Sequence, residues 1–267
     1  MKTTNLLVVT FALATSAPSL LADHHKEEPS EKKIAGYTNT PLVPGTNYHV
    51  HDPNRPQPRK VEAAGPVTTP APSDATVIFA GEKNDSWKGG FEVKNGILVA
   101  AKGGLKTTAT YRDVQLHIEW RIPADREVNG QGGGNSGVFF MNNMYEVQIL
   151  ASHTNQTYPD GQAGALYGQF PPLVNSSTPK GEWQSYDIIF KAPVYEGETI
   201  ITPANITALH NGVVVQAAQA LLGPSSHKKI PPYPAEHPER GTIDLQWHSD
   251  PIEFRNIWVR DLGERDQ

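Results

Sequence analysis

The chain has 267 residues, a formal net charge of -5 and 19% charged side chains, so it offers no basic footprint for nucleic acid. It has no cysteine, which excludes disulfides, thiolate metal sites and cysteine nucleophiles. Glycine and proline, 23 each, call for many turns and stretches of irregular chain, and all-β chains of this length are commonly single domains.

The first segment reads as an address. Lys2 gives a positive start, Leu6–Ala14 a short apolar run, and small residues follow with Ala17 or Ala22 as cleavage points, which predicts a signal peptide over 1–22. The apolar run is too short to span a bilayer, so no membrane span is expected there. Export without cysteines points to the periplasm, cell surface or surroundings of a bacterium, where a large core can replace covalent staples. Residues 23–74 read as a proline-rich tether and arm. The first part, DHHKEEPSEKK, is polar enough to stay extended. The next, PLVPGTNYHVHDPNRPQPRK, disfavours helix because each proline removes a donor and restrains its predecessor. Its His49, His51 and Asp52 suit either a metal site or an arm packed beside a cleft.

From Ala75 to about 263 nearly everything reads as strand and turn. Lys94-Asn95-Gly96 and His210-Asn211-Gly212 are hairpin signals, because Asn-Gly accepts positive φ. Val114–Ile122 alternates, with Leu116, Ile118 and Trp120 on one face and His117, Glu119 and Arg121 on the other. The stretch GGGNSGVFFMNNMYEVQIL predicts a glycine loop carrying Asn135, a strand, a turn at Asn142-Asn143 and a second strand. In that second strand Tyr145, Val147 and Ile149 face one way, Glu146 and Gln148 the other. An apolar row backed by a carboxylate and an amide suits a strand with one face on a core and one lining a cleft, or ordinary solvent-facing positions. A polar loop follows, with His153 and Tyr167 as candidates. The proline-rich segment 223–241 is a surface excursion or a lid. Gly241–His248 sets Asp244, Gln246 and His248 against Ile243, Leu245 and Trp247, and Ile252–Asp261 reads as a last strand carrying Arg255. About a dozen short strands with evenly spaced turns predict an antiparallel β-sandwich, most naturally a jelly roll with one concave sheet.

Familiar catalytic motifs are absent: no phosphate loop, no Gly-x-Ser-x-Gly elbow, no His-Glu-x-x-His. Nor does the strand of Glu146 carry the second acid of a retaining glycosidase, so Glu119 or Asp244 would have to supply one. Oxygen-rich loops are compatible with a divalent ion such as calcium, and a His–carboxylate set with a transition metal, but no spacing demands either. The oligomeric state is left open.

Seven segments in order, NSGVFF, YEVQIL, GALYG, GEWQSYDI, HNG, GTIDLQWH and IEFRNIWVRDL, resemble the 3-keto-disaccharide hydrolase domain family, over roughly Ala75 to Leu262. The resemblance implies an all-β, concanavalin A-like jelly roll acting on an oligosaccharide or glycoside oxidised at C3. The ketone acidifies the C2 hydrogen, so a base can remove it while the C1 substituent departs, with water adding afterwards. Such a site needs a base, a donor for the enolate oxygen and an acid for the leaving group. On the matching positions, Glu146 is expected as base and Gln148, Arg255 or a metal as enolate stabiliser. His248 or Tyr167 is expected to assist departure, and Glu119, Asn135, His153, Tyr167 and Gln246 to hold substrate. Members often carry an acid just after the YEVQIL strand, where this chain has Ala151-Ser152-His153. The alternatives are a carbohydrate-binding module without chemistry, which would show exposed aromatics on the concave face, and a laminarinase-type hydrolase, disfavoured by the missing acid pair.

Overall fold

Turns fix where the strands end. At Asn95-Gly96 φ is 51° and 77°, and at Asn211-Gly212 it is 52° and 78°, the doubly positive geometry that matches the twist of a hairpin. The computed structural model describes residues 34–263, so the expected signal peptide and the tether through Lys33, with His24 and His25, lie outside the described residues.

The strands are β1 (Arg59–Lys60), β2 (Thr76–Phe79), β3 (Trp87–Lys94), β4 (Ile97–Thr107), β5 (Val114–Arg121), β6 (Ser136–Phe140), β7 (Tyr145–Ile149) and β8 (Val174–Asn175). They continue with β9 (Gln184–Lys191), β10 (Val194–Glu196), β11 (Thr199–Thr202), β12 (Asn205–His210), β13 (Val213–Ala220), β14 (Asp244–Leu245) and β15 (Glu253–Asp261). A single 3-10 turn, Pro159–Gly161, is the one helical element among the described residues. The main sheet runs β13-β12-β9-β5-β15-β4-β14-β6-β7, with β2 against β15 and β3 against β4. The expected strand at Gly241–His248 shrinks to Asp244–Leu245, preceded by a single bridge between Gly241 and Tyr111.

The sheet folds over on itself at β4. The first half of this strand pairs with β15 through Leu98 and Val99, and the second half with β14 through Leu105 and Lys106. Between them Gly103 and Gly104 have φ of 103° and 64°, which lets one strand turn a corner and serve two layers. The layers meet through their apolar rows. Phe140 stacks on Phe190 at 4.7 Å between ring centroids, and the Tyr186 hydroxyl donates to the Gln148 carbonyl at 2.7 Å. Trp120, Tyr145, Val147, Ile188 and Phe254 are fully enclosed there.

The proline-rich segment belongs to the same compact unit, which starts at Ile34. Leu42 and His49 bridge to close a tight loop, Val43 and Val50 are buried, and the Val43 amide donates to the Tyr48 carbonyl at 2.9 Å. Further on, β1 pairs in parallel with β8, and the Thr69 carbonyl accepts the indole N–H of Trp258 at 2.9 Å. Among the described residues no helix is long and apolar enough to cross a membrane.

A bulky side chain at the corner should loosen both layers together. Gly104→Val places a β-branched residue at φ 64°, with its Cβ 3.0 Å from the Leu245 carbonyl oxygen. We expect a loss of about 1–3 kcal/mol in urea unfolding, with the single cooperative transition retained.

Candidate active site

Register assembles one row of side chains across the outer face of the layer that contains β7. Lys88 pairs with Lys106, Lys106 with Asp244, Asp244 with Phe139 and Phe139 with Glu146. Directly paired residues point to the same face, so all five share it. A second row holds Gln148 opposite Gly137, whose carbonyl accepts the Gln246 amide at 3.0 Å. Asp244 lies two strands from Glu146, about 10 Å, too far for a retaining pair of acids.

Glu146 is 5% exposed. Burial alone pushes its carboxyl from an ordinary 4.5 up to about 8. Space for that carboxyl exists because position 137 is glycine: a Cβ there would collide with Glu146 Oε1 and with the ring of Phe139. The edge of β7 is covered. The Glu146 amide donates to the Ser225 hydroxyl at 3.0 Å, and the Ser225 amide to the Met144 carbonyl at 2.7 Å. Segment 223–241, read as surface excursion or lid, therefore begins by lying along the edge of this strand.

Gln148 is buried beside Glu146 and joins a chain of amides. Its Nε2 donates to Gln131 Oε1 at 3.2 Å, and Asn135 Nδ2 donates to the Gln131 carbonyl at 3.0 Å. Gln148 Oε1 has no hydrogen-bond partner among the described residues. Gln131 carries no signal in a single sequence, since it is one polar residue in a glycine loop.

Tyr167 follows the segment that pairs along β7, and its hydroxyl stands 3.2 Å from both the Tyr158 hydroxyl and His227 Nδ1. Burial pushes its phenol up to about 12, against the opposing hydrogen bond of Tyr158 and with a lesser upward push from Glu146. Below these groups lies His51 of the arm, with Nδ1 3.2 Å from Asp160 Oδ1 and its backbone N–H donating to Asp160 Oδ2 at 2.8 Å. Of the two readings of the HVHD cluster, the packed arm is the one seen. Among the described residues no group of three or more His, Asp or Glu side chains is arranged to hold a metal ion.

The remaining candidates lie elsewhere. Glu119 and Arg255 do not join Glu146: β5 pairs with β9 and β15, so their side chains point outward from the opposite layer, with the core between. Arg255 Nε donates to Glu119 Oε2 at 2.7 Å, and its guanidinium covers the Trp183 ring at 4.1 Å. Burial raises the Glu119 carboxyl, but hydrogen bonds from Asn256, Arg255 and Thr68 outweigh it and hold the group below its ordinary value. His248 is exposed in the loop after β14, past the end of the Glu146 row. His153 bonds the Ser177 carbonyl at 2.8 Å and lines a separate cavity of about 310 Å³ with Ile122, Val128 and Lys180. Alternation placed Glu119 and Arg255 on a polar face correctly. It could not say which polar faces coincide.

A family model described as a 3-keto-alpha-glucoside-1,2-lyase-like domain matches residues 74–260. The chain belongs to that family. A solved structure from Parabacteroides distasonis, described only provisionally as a glycosyl hydrolase, is 35% identical over 78% of this chain and 94% of its own, with a TM-score of 0.69. A second from the same organism shares 22% identity over 70% of this chain and 99% of its own at a TM-score of 0.53, which supports the fold alone. No curated protein matches the chain. Family and fold together make this a carbohydrate-active domain, a concanavalin A-like jelly roll.

Two outcomes follow from the electrostatics. A carboxyl whose folded pKa lies above its unfolded value stabilises most below the unfolded value, and that stability is lost as pH rises through the folded one. Between about pH 4.5 and 8 the native protein should therefore lose stability relative to Glu146→Gln. The variant should match it at pH 5 and exceed it by roughly 3–5 kcal/mol at pH 9 in urea melts; a constant difference would show that Glu146 is solvated. Arg255→Ala should cost about 1–2 kcal/mol, since the arginine is itself 40% exposed. Saccharide binding should not change, and its loss would return Arg255 to the site.

Proposed function

We propose that this domain cleaves the glycosidic bond of 3-keto-glycosides by elimination, with Glu146 as the general base. The observation that carries this is a carboxyl buried on a polar strand face, raised to about 8, with no cationic side chain within salt-bridge range among the described residues. A base of that strength suits a carbon acid next to a ketone, because proton transfer is most effective when the acceptor's pKa lies near the working pH. The family description supports the substrate class.

The step balances as follows. The C2–H bond breaks and its proton goes to Glu146, while its electron pair forms the enolate of the C3 ketone. The enolate collapses to a C1=C2 double bond as the C1–O pair leaves with the aglycone oxygen, which takes a proton from the site. Addition of water across C1=C2 completes net hydrolysis. One N–H of the Gln148 amide is engaged by Gln131 and the other is free to donate to the enolate oxygen. Gln246 borders the same row, and Asn135 supports the amide chain through Gln131. Tyr167 is the donor best placed to serve the departing oxygen; Arg255 and His248 take no part. An oxidoreductase acting on the parent sugar must supply the ketone, and the leader-like start of the chain supports placing this chemistry outside the cytoplasm.

The test is mass spectrometry of products from a 3-keto disaccharide beside its unoxidised parent, with kcat/KM followed over pH. We expect aglycone from the keto sugar alone, deuterium entering C2 in heavy water, and a rate that rises with pH to a plateau above about 8. Glu146→Gln should lower the rate by about a thousandfold. Binding of saccharide without turnover of either sugar would assign the domain to the carbohydrate-binding modules instead.

A further inference from the structure

The arm's histidine is the least explained buried group beside the site. His51 is fully enclosed, and its Nε2 has no hydrogen-bond partner among the described residues. Asp160 holds the other side of the ring at Nδ1, which fixes the proton there and leaves Nε2 as an acceptor. The residue is held at φ 60°, a conformation uncommon outside glycine, so the backbone is bent to present this ring. Around it stand Tyr158, Tyr167 and His227, with ring centroids at 4.1, 4.8 and 5.3 Å.

Other buried histidines also have an unpartnered nitrogen, but in different settings. His210 stacks on Trp120 in the core and bonds Gln184, and burial lowers it to about 3. His117 Nε2 faces Glu119 Oε1 at 3.8 Å on the opposite layer. Only His51, of the three, packs against Tyr158 and against Tyr167, whose amide bonds the Glu146 carbonyl on β7.

We propose that the His51–Asp160 pair is a positioning unit for Tyr167, holding the phenol where it can protonate the oxygen that leaves C1. The proposal rests on the eliminative reading above. In the step, the Tyr167 O–H bond breaks as the departing oxygen takes its proton and keeps the C1–O pair. The phenolate then recovers a proton from water, so the net donor is solvent. The His51 ring packs on those of Tyr158 and Tyr167, and the Tyr158 hydroxyl stands 3.2 Å from that of Tyr167, so the imidazole holds both phenols in place. Burial and the neighbouring Glu146 charge keep Tyr167 protonated until the leaving group needs it. His227, whose pKa is lowered by partial burial and by His51 and Lys228, stays neutral and can accept the Tyr167 hydroxyl in the resting state.

A leaving-group comparison tests this. A sugar alkoxide needs a proton to depart, whereas nitrophenolate leaves without one. We would measure kcat/KM on a 3-keto disaccharide and on 4-nitrophenyl 3-keto-glucoside for the native protein, His51→Asn, Asp160→Asn and Tyr167→Phe. Asparagine tolerates the positive φ at position 51, and Tyr167→Phe removes only a hydroxyl, so a folded variant remains even if one of the others melts early. The expected result is a loss of about a hundredfold or more on the disaccharide and less than about tenfold on the nitrophenyl substrate. Equal losses on both substrates would make His51 purely structural, and no loss would remove it from the reaction. Those two results leave the eliminative reading standing, whereas a native protein inert on both keto substrates would sink that reading and this one together.

Discussion

Everything about the site depends on β7 satisfying two environments one residue apart. Tyr145, Val147 and Ile149 are sealed into the core, and Glu146 and Gln148 between them face away from it. A strand can do this only if its register is fixed, because a slip of one residue would drive the carboxylate into the core. Here the register is held from both sides, by five paired positions with β6 and by residues 164–166 bonding along the other edge. The enclosure that makes Glu146 a strong base comes from the same covering segments. Stability at high pH is reduced at this point in exchange for basicity, a common relation at catalytic carboxyls.

Much of the architecture is legible in sequence because it is local. Asn95-Gly96 and Asn211-Gly212 announce their hairpins, and the alternations of β5 and β7 separate the core face from the polar face correctly. The corner in β4 is not legible, since Gly103-Gly104 reads equally well as a loop ending one strand. Without that corner the two layers cannot be told apart. That is why Glu119 and Arg255 read as neighbours of Glu146 when they face the other way. Polar faces look alike in a sequence; only long-range pairing decides which of them meet.

The groups that sequence reasoning passed over share a trait: each comes from a segment with no periodicity. Gln131 sits in a glycine loop, Asp160 in the 3-10 turn and His227 in the proline-rich segment; His51, which the sequence shows only as part of the HVHD cluster, likewise sits in irregular chain. Strand β7 provides the floor through Glu146 and Gln148, with Gln246 just past β14, and irregular chain provides the walls. The two parts differ in how they tolerate change. A floor residue on β7 is constrained by β6 on one edge and by residues 164–167 on the other, whereas a wall residue is constrained by a few specific bonds such as that between His51 and Asp160.

The family match begins at residue 74, yet His51 and the buried Val43 and Val50 lie before it. The unit of homology and the unit of packing therefore have different edges. Trimming the chain to its recognisable domain would keep the sheet's residues and discard a wall of the chamber. Relatives with the same strands but another arm, or none, would share a floor under a differently enclosed carboxyl. Variation in reactivity across such a family is then to be sought in the part of each chain that the shared domain does not describe.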